Sequence, residues 1–272
     1  MVKIDFGRML PSKEELAKLH KQRYEDNRKT PENMSFWLPK LVEATNDSVL
    51  LLPDTHVIEL SFRWWDWLTS DNYTEEKVTE FHNGLIDLIG DFHEGEKLFL
   101  KTGVFSNKFE FSNAVCDEDR SNLGRQFLDI YYTSMIYGAD STAELVVRKY
   151  IESKEDVPTI YDGMPLHTEF RVFYDFDKKE VIGIANYWHP DEMKEKYLNE
   201  DFPIYDSFKD ILVEKYEENK EFVVEQVDTF MREVDGLAGQ WSVDVMMNCD
   251  DYWLIDMARM GRSALVSVME EV

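Results

Sequence analysis

The chain has 272 residues and a formal net charge of −25 at pH 7, because 55 acidic residues outnumber 30 Lys and Arg residues. This excess of negative charge excludes general affinity for nucleic acid or for anionic membranes. A hydrophobic content of 43% and an aromatic content of 14% exclude wholesale disorder, and no apolar run approaches the roughly 20 residues that cross a bilayer. We therefore expect a globular protein with no nucleic-acid and no membrane partner.

Cysteine content and length bound the cellular location and the number of domains. Cys116 and Cys249 are too few for a disulfide framework or a cysteine-rich zinc site. The first residues, MVKIDFGRMLPSKEEL, lack the apolar core of a signal peptide. A cytoplasmic location is therefore expected, and the length suits one large domain or two tightly joined lobes.

Two helices are predicted in the first third of the chain. Ser12, followed three residues later by Glu15, predicts the capping box of a solvated helix over 12–29. Thr74 is the expected N-cap of an amphipathic helix over 74–91. Its apolar residues recur at helical spacing: Val78, Phe81, Leu85, Leu88 and Ile89.

Between these helices the sequence predicts one strand and an aromatic cluster. The run Val49–Leu52 is typical of a buried strand, which Pro53 would end. Trp64, Trp65 and Trp67 are expected to pack in a core or an interface and not to form a ligand platform.

The next segment carries two lysines beside a flexible loop. Lys97–Leu100 predicts a short strand with Lys101 at its exposed end, and alternation resumes at Lys108–Phe111. The intervening loop contains Gly103, Ser106 and Asn107, so its backbone N–H groups and the two lysines could close over phosphates. A plain hairpin with solvated lysines is the alternative.

Further cations stand on predicted strands in the middle of the chain. Glu144–Ile151 reads as a strand that contains Arg148 and Lys149, which need either acid partners, such as Asp244 or Glu169, or an anion. Residues 165–188 predict a β-hairpin in which Glu169, Arg171 and Phe173 share one face. His167 has no ligand spacing to other histidines and is interpreted as structural.

The final third contains a long helix and an acidic hairpin. Residues 208–234 show helical apolar spacing. Trp241–Met247 and Tyr252–Met257 are rich in Val, Ile and aromatic residues and are separated by the polar turn 248–251, which predicts a hairpin.

Each strand of that hairpin carries a carboxylate where a buried strand would place an apolar residue. If Asn248 pairs with Tyr252, Asp244 lies directly opposite Asp256 on one face. Two such anions repel unless a divalent cation lies between them, and magnesium prefers oxygen ligands. Two arginines that follow could serve phosphates: Arg259 and Arg262. Two surface acids on an edge strand with arginine partners are the alternative.

Together, cations on early strands and two late acids could form a phosphate-and-magnesium site. The residues are Lys101, Lys108, Arg148 and Arg171, followed by Asp244 and Asp256.

In this collinear order the sequence resembles the ATP-grasp superfamily. The most similar branch is that of eukaryotic cell-division-cycle proteins that assist assembly of translation initiation factor 2. The resemblance extends over most of the chain from about residue 36. It depends on WLPKL (37–41), SVLLLP (48–53), ELVVRKYI (144–151), TEFRVFYDFDKKEVIGIANY (168–187), SVDV (242–245) and YWLIDMAR (252–259).

The resemblance implies an α+β, ATP-grasp-like fold in which two lobes clamp a nucleotide between antiparallel sheets. The expected organisation is an N-terminal helical and α/β region over 1–95, a small nucleotide-clamping lobe over 96–160, and a C-terminal lobe with the metal site over 161–272.

By motif position, the resemblance also implies roles for single residues. Lys101 would contact the α- or β-phosphate, and Lys108 would belong to the loop over the phosphates. The backbone around Arg148, Lys149 and Tyr150 would line the adenine. The remaining roles are catalytic contacts with the terminal phosphates for Arg171 and Arg259, and magnesium ligation for Asp244 and Asp256.

One position departs from the superfamily pattern. Where the superfamily usually has an asparagine as a further metal ligand, two positions after the second acid, this chain has Ala258. A second magnesium ion would therefore be absent or weakly bound.

Three functions remain open on the sequence. The first is an ATP- and magnesium-dependent ligase that joins an unknown carboxylate and amine through an acyl phosphate. The second is a nucleotide-dependent assembly factor whose acidic surface binds a basic protein partner. The third is a purely structural relative that binds nothing.

Overall fold

The computed structural model describes residues 12–70, 72–139, 141–196 and 200–272. Within these residues, none of the helices has both the length and the apolarity to cross a bilayer. The helices are α1 (Lys13–Asn27), α2 (Met34–Glu43), α3 (Phe62–Leu68), α4 (Glu75–Ile89), α5 (Phe111–Ala114), α6 (Leu123–Ile136), α7 (Pro190–Lys196) and α8 (Phe202–Arg232).

The strands in this part of the chain pair in an antiparallel manner and form two main sheets. The first sheet has the order β1-β4-β2-β3, the second has the order β10-β9-β7-β8-β11, and β5 pairs with β6 alone. Helices and antiparallel sheets alternate irregularly, so the predicted α+β class is confirmed. The strands are β1 (Thr55–Glu59), β2 (Leu98–Thr102), β3 (Val115–Cys116), β4 (Glu144–Lys149), β5 (Thr159–Ile160), β6 (Met164–Pro165), β7 (Glu169–Asp175), β8 (Glu180–Asn186), β9 (Gln240–Asn248), β10 (Asp251–Arg259) and β11 (Glu270–Glu271).

Each main sheet has its own hydrophobic core. The first sheet packs against α3, α4 and α6, and Trp65 and Trp67 are buried there, as expected of the aromatic cluster. The second sheet packs against α8, which contacts β7 and β8, and apolar residues of α2 belong to the same core. Because β1 pairs with β4, the region before residue 95 contributes a strand to the first sheet. The predicted domain boundaries themselves stay a prediction.

The predicted helix starts have the expected caps. The Ser12 hydroxyl accepts from the Glu15 N–H at 3.2 Å, and the Glu15 carboxylate accepts from the Ser12 N–H at 2.8 Å. The Thr74 hydroxyl accepts from the Lys77 N–H at 3.3 Å. Leu88 departs from the expected apolar face, because it is 55% exposed.

Two predicted strands are wrong. In Val49–Leu52, Leu50 is buried and Val49 is 51% exposed, and Leu51 makes only an isolated parallel bridge with Trp253. This run borders β10 and does not enter a sheet as a full strand. The Lys108–Phe111 segment forms a 3₁₀ turn that leads into α5, because short-range bonds such as Glu110 N–H to Asn107 C=O at 3.2 Å close the chain locally.

We predict opposite effects for two helix glycines on facing helices. A Cβ at Gly124 in α6 would lie 2.8 Å from the His82 Cα in α4, whereas a Cβ at Gly84 would meet nothing within 4 Å. Gly124→Ala should lower the free energy of unfolding by about 1–3 kcal/mol. Gly84→Ala should raise it by about 0.5–1 kcal/mol, because alanine is the better helix former. Urea unfolding measures both, and a Gly124→Ala protein as stable as wild type would contradict the close packing.

Candidate active site

A cavity of about 460 Å³ lies between the two main sheets. Its wall mixes apolar rings with charged side chains, as in pockets that bind a small molecule and orient it by a few polar groups. The first sheet contributes Phe99, Lys101 and Arg148, and Tyr150 follows its strand β4. The second sheet contributes Glu169, Arg171, Asp244, Met246 and Asp256.

A bulge in the final hairpin brings its two acids together. Asn248 pairs with Asp251, and not with Tyr252 as predicted, so the register next to the turn is shifted by one residue. The register shifts back between Leu254 and Asp256, and Asp256 therefore lies opposite Asp244. The predicted facing acids are found, although the predicted pairing at the turn is wrong.

Asp244 is bound by an arginine of the neighbouring strand. Arg171 in β7 lies opposite Asp244 in β9, and its Nε and Nη2 donate to the two carboxylate oxygens at 2.8 and 2.7 Å. Burial by itself lowers the pKa of Arg171, but the adjacent Asp244 carboxylate outweighs this effect and raises the pKa. The guanidinium is thus a permanent cation in the cavity wall.

Asp256 is bound by a lysine of the other sheet. The Lys101 Nζ donates to the Asp256 Oδ2 at 2.6 Å. The Lys101 side chain is only 1% exposed, so the expectation that it stands at an exposed strand end is wrong. Burial lowers the pKa of Lys101, and the Asp256 carboxylate opposes that shift.

Arg148 and Lys149 have different environments although they are adjacent in β4. Arg148 is buried, and its Nε donates to the Thr55 hydroxyl at 3.4 Å. It forms no ion pair with the described acids, so of the two predicted alternatives the pairing with an acid such as Asp244 or Glu169 is not found. Burial lowers the pKa of Arg148. The Lys149 side chain is exposed and lies 2.8 Å from Glu96. Both residues, with Tyr150, line the cavity.

Lys108 reaches the cavity from the loop after β2. Its ammonium donates to the Tyr187 hydroxyl and lies 4.4 Å from the centroid of the Tyr187 ring. Phe105 and Phe109 of the same loop both stack on Tyr137 at the end of α6. The loop is therefore held by aromatic contacts.

Two cavity residues were not among the predicted site residues: His167, which precedes β7, and Glu169, which begins it. His167 was interpreted as structural, yet it lines the cavity, and neither ring nitrogen has a hydrogen-bond partner. Glu169 is 9% exposed, and among the described residues its carboxylate accepts no hydrogen bond. Burial raises its pKa to about 7, while Lys108 acts in the opposite direction. Their even spacing from Arg171, two positions for Glu169 and four for His167, was the available signal, because alternate residues share a face.

Arg259 does not line the cavity, so its position does not support a catalytic role. It stands three positions after Asp256 in β10, and an odd spacing puts the two side chains on opposite faces. Its guanidinium lies 5.6 Å from the Trp241 ring centroid and 3.6 Å from the Glu32 carboxylate. Arg262, which follows β10, does line the cavity.

The donor set suits magnesium only in combination with phosphate. Among the described residues, no group of three or more His, Cys, Asp or Glu side chains could hold a metal ion. Asp244 and Asp256 offer two carboxylates, and magnesium is commonly held by one or two carboxylates together with substrate phosphates and water. The cavity wall fits that pattern, because cations that could neutralise phosphates surround the two acids.

The chain was compared with protein families, curated proteins and solved structures. No protein-family model matches the chain, and no curated protein matches its sequence. The chain is similar in structure to C-terminally truncated Cdc123 from Schizosaccharomyces pombe, with 16% identity, a TM-score of 0.49, and coverage of 88% of this chain and 90% of that chain.

Two bacterial structures are also similar. D-alanine–D-alanine ligase from Bacillus anthracis, complexed with ATP, has 12% identity and a TM-score of 0.41, with 84% of this chain and 53% of that chain covered. The RimK domain ATP-grasp protein from Sphaerobacter thermophilus has 12% identity and a TM-score of 0.38, with 87% and 61% covered. The likeness concerns general architecture, and substrate and activity depend on the cavity residues themselves.

We predict a pH-dependent effect of Glu169→Gln on stability. The pKa of Glu169 is raised from 4.5 to about 7, so the folded state retains a proton that the unfolded chain loses as pH rises above 4.5. Wild type should therefore lose up to about 3 kcal/mol of stability between pH 4.5 and 7, at 1.36 kcal/mol per pKa unit. Glutamine cannot ionise, so the variant should gain stability relative to wild type over this range and keep a constant advantage above pH 7. Urea unfolding in EDTA at pH 5, 6, 7 and 8 measures the difference, and a pH-independent difference would contradict it.

Proposed function

We propose that the cavity binds ATP with magnesium and that the protein is an ATP-dependent carboxylate–amine ligase acting through an acyl phosphate. One observation supports the proposal above the others: two facing acids, Asp244 and Asp256, each contact a cation on the wall of the same cavity. Ion pairs withdrawn from water give a fold little net stability, because desolvation offsets their attraction. Buried cations with shifted pKa values in a cleft, such as Lys101 and Arg171, are more typical of functional sites.

Each cavity residue has a defined place in this proposal. Lys101 would bind the α- or β-phosphate and Arg171 the terminal phosphates, while Lys108 would cover them from its loop. The backbone at Arg148, Lys149 and Tyr150 would line the adenine, beside apolar side chains of both sheets. Asp244 and Asp256 would hold magnesium, which would neutralise charge on the β- and γ-phosphate oxygens.

The chain's own residues would mainly position the reacting groups and neutralise the negative charge of the phosphates. Phosphoryl transfer requires little covalent participation by the protein, so fixed cations and in-line geometry supply most of the rate increase. Arg171 is suited to this task because its two hydrogen bonds to Asp244 fix the orientation of the guanidinium group. Both acids lie on paired strands, which are more rigid supports than loops.

Nucleotide-dependent assembly without ligation is the second candidate, and Ala258 favours it. Ala258 lines the cavity but offers no side-chain ligand where the superfamily usually has an asparagine. A single, weakly held metal ion would favour binding over turnover. The formal charge of −25 suits a basic protein partner.

Substitution of the cavity cation and acid tests nucleotide binding. In Lys101→Met, Mg·ATP affinity should fall about 10- to 100-fold, because a hydrogen bond to a charged group contributes about 1.5–3 kcal/mol. In Asp256→Asn, the remaining affinity should depend less on magnesium. Isothermal titration calorimetry with and without magnesium measures both, with Lys97→Met as the matched control, because Lys97 precedes the same strand and does not line the cavity. Unchanged magnesium-dependent affinity in both variants would remove the assignment.

Restoration of the missing ligand tests the second candidate. In Ala258→Asn, the amide oxygen should add a metal ligand beside Asp256, and the magnesium concentration for half-maximal ATP binding should fall several-fold. Ala258→Leu, which adds similar bulk without an oxygen, should not show this gain. If both variants bind Mg·ATP alike, Ala258 does not face the metal site.

A further inference from the structure

Three exposed apolar side chains lie together beside α8 and β10. They are Phe222 in α8, which is 39% exposed, and Val49 and Leu51, which are 51% and 39% exposed in the run that borders β10. Leu50, between the latter two, is buried, so Val49 and Leu51 point outward as alternate residues. Single exposed apolar residues are common, but a connected group with a polar rim is typical of an interaction site. We call these three exposed residues the apolar patch.

Contacts on two sides of Phe222 connect the apolar patch. The centroids of the Phe222 and Tyr252 rings lie 5.2 Å apart, and the Tyr252 C=O accepts from the Leu51 N–H at 2.8 Å. One turn further along α8, the Gln226 side-chain oxygen accepts from the Val49 N–H at 3.0 Å. The helix and the bordering run therefore form one continuous surface.

A row of acids borders the apolar patch along α8. Glu218 and Glu225 stand four positions before and three positions after Phe222, which are the spacings of neighbours on a helix surface. Glu214 and Glu221 continue the row by the same spacing, and all four glutamates are exposed. In the part of the chain that the structure describes, none of the four forms an ion pair. We call these four residues the acid rim.

Shape and charge restrict what can occupy this surface. No residue of the apolar patch or the acid rim lines the cavity between the sheets, so a small molecule is not enclosed by that cavity here. The acid rim repels nucleic acid and anionic membranes, and a second copy of the chain would add a further charge of −25. A protein segment that combines apolar residues with Lys and Arg has the complementary chemistry.

We propose that the apolar patch and the acid rim form a docking surface for a basic amphipathic helix of a partner protein. The apolar face of that helix would pack on Phe222, Val49 and Leu51, and its Lys and Arg residues would pair with the four glutamates. Because α8 is 31 residues long, a second helix can lie along it and meet both the patch and the rim.

The docking surface is separated from the cavity by the second sheet. Phe170 and Val243 pack in the core together with α8, whereas the alternate residues Arg171 and Asp244 line the cavity. A bound partner would leave the cavity accessible. The docking proposal therefore does not depend on the nucleotide proposal and can fail or hold by itself.

Designed peptides test the charge and the apolar face of the partner separately. The full chain is titrated into a fluorescein-labelled amphipathic helix of about 18 residues of Leu and Lys, and fluorescence anisotropy measures binding. A peptide of the same composition, with Leu and Lys scrambled over both faces, keeps the charge but has no apolar face. We expect the scrambled peptide to bind at least about 10-fold more weakly, and a Leu and Glu helix not to bind.

Variants locate the binding surface. Phe222→Ser should weaken binding of the Leu and Lys helix about 10-fold, because an aromatic contact is lost. The double variant Glu218→Gln, Glu225→Gln should weaken binding several-fold and reduce its dependence on NaCl concentration. Urea unfolding checks that each variant is folded, and if Phe222→Ser does not fold, Val49→Ser takes its place.

Matched controls lie on α4, which packs against the first sheet. Leu88→Ser removes an apolar side chain that is 55% exposed, and the double variant Glu76→Gln, Asp87→Asn removes two exposed acids. Both controls should bind the Leu and Lys helix as wild type does.

Three results would overturn the docking proposal. The first is equal binding of the scrambled peptide or equal loss of affinity in the controls, which indicates non-specific attraction to an acidic protein. The second is unchanged affinity in both the apolar variant and the Glu218→Gln, Glu225→Gln variant. The third is a wild-type dimer in sedimentation analysis that Phe222→Ser dissociates, which makes a second copy the occupant.

Discussion

The ion pair between Lys101 and Asp256 is the interaction on which the site depends. It joins the first sheet to the second across the cavity, at 2.6 Å between the Nζ and Oδ2, and the lysine is fully enclosed. A lysine in such a place is costly unless an anion neutralises it, and without a cation the acid would face Asp244 alone. Each partner thus makes the other tolerable. In a complex with Mg·ATP, a phosphate could take the place of Asp256 beside Lys101, and magnesium could take the place of Lys101 beside Asp256. Each charged group would then keep a partner of opposite sign.

The remaining cations of the cavity extend this arrangement. Arg171 stands beside Asp244 on one face of the second sheet, and Arg148 lies buried in the first sheet without an acid partner among the described residues. An acidic protein that binds a polyanion must concentrate part of its basic residues in one place, because its average field is repulsive. The strands accomplish this by presenting alternate side chains to the cavity, while the aromatic contacts of Phe105 and Phe109 hold the Lys108 loop against α6.

Local sequence patterns correctly predicted the features that depend on side-chain periodicity and on helix capping. The face of β7 that carries Glu169 and Arg171 followed from alternation, and the facing of Asp244 and Asp256 followed from their even separation. That second success depended on two compensating departures, since the turn pairs Asn248 with Asp251 and a bulge then restores the register. Nothing in the residues around Leu254 indicates a bulge, so the sequence could not predict how the acids meet.

The wrong predictions for single residues share a cause: the environment of each residue depends on partners that are distant in the sequence. Lys101 was expected in solvent because the apolar run ends at Leu100, but its partner Asp256 is 155 residues away in sequence. Arg259 was grouped with the phosphates because it follows the acids closely, yet strand geometry turns it towards Glu32. His167 was judged by ligand spacing, whereas its place beside the cavity follows from the strand that it precedes.

Asp256 lines both the cavity between the two sheets and a smaller adjoining hollow of about 260 Å³, and this limits how the two proposed functions can differ. A carboxylate held at both oxygens cannot move towards one ligand without loss of a bond to Lys101 or to the Met257 N–H. A molecule in the smaller hollow would therefore meet the Asp256 carboxylate and the Lys101 ammonium in fixed positions. A pure binding factor has no need of a second chamber whose wall is shared with the phosphate site, whereas group transfer requires one, because the reacting oxygen must approach the γ-phosphorus from within about 3–3.5 Å. The shared wall is thus the feature that favours ligation, and the alanine at 258 is the feature that opposes it.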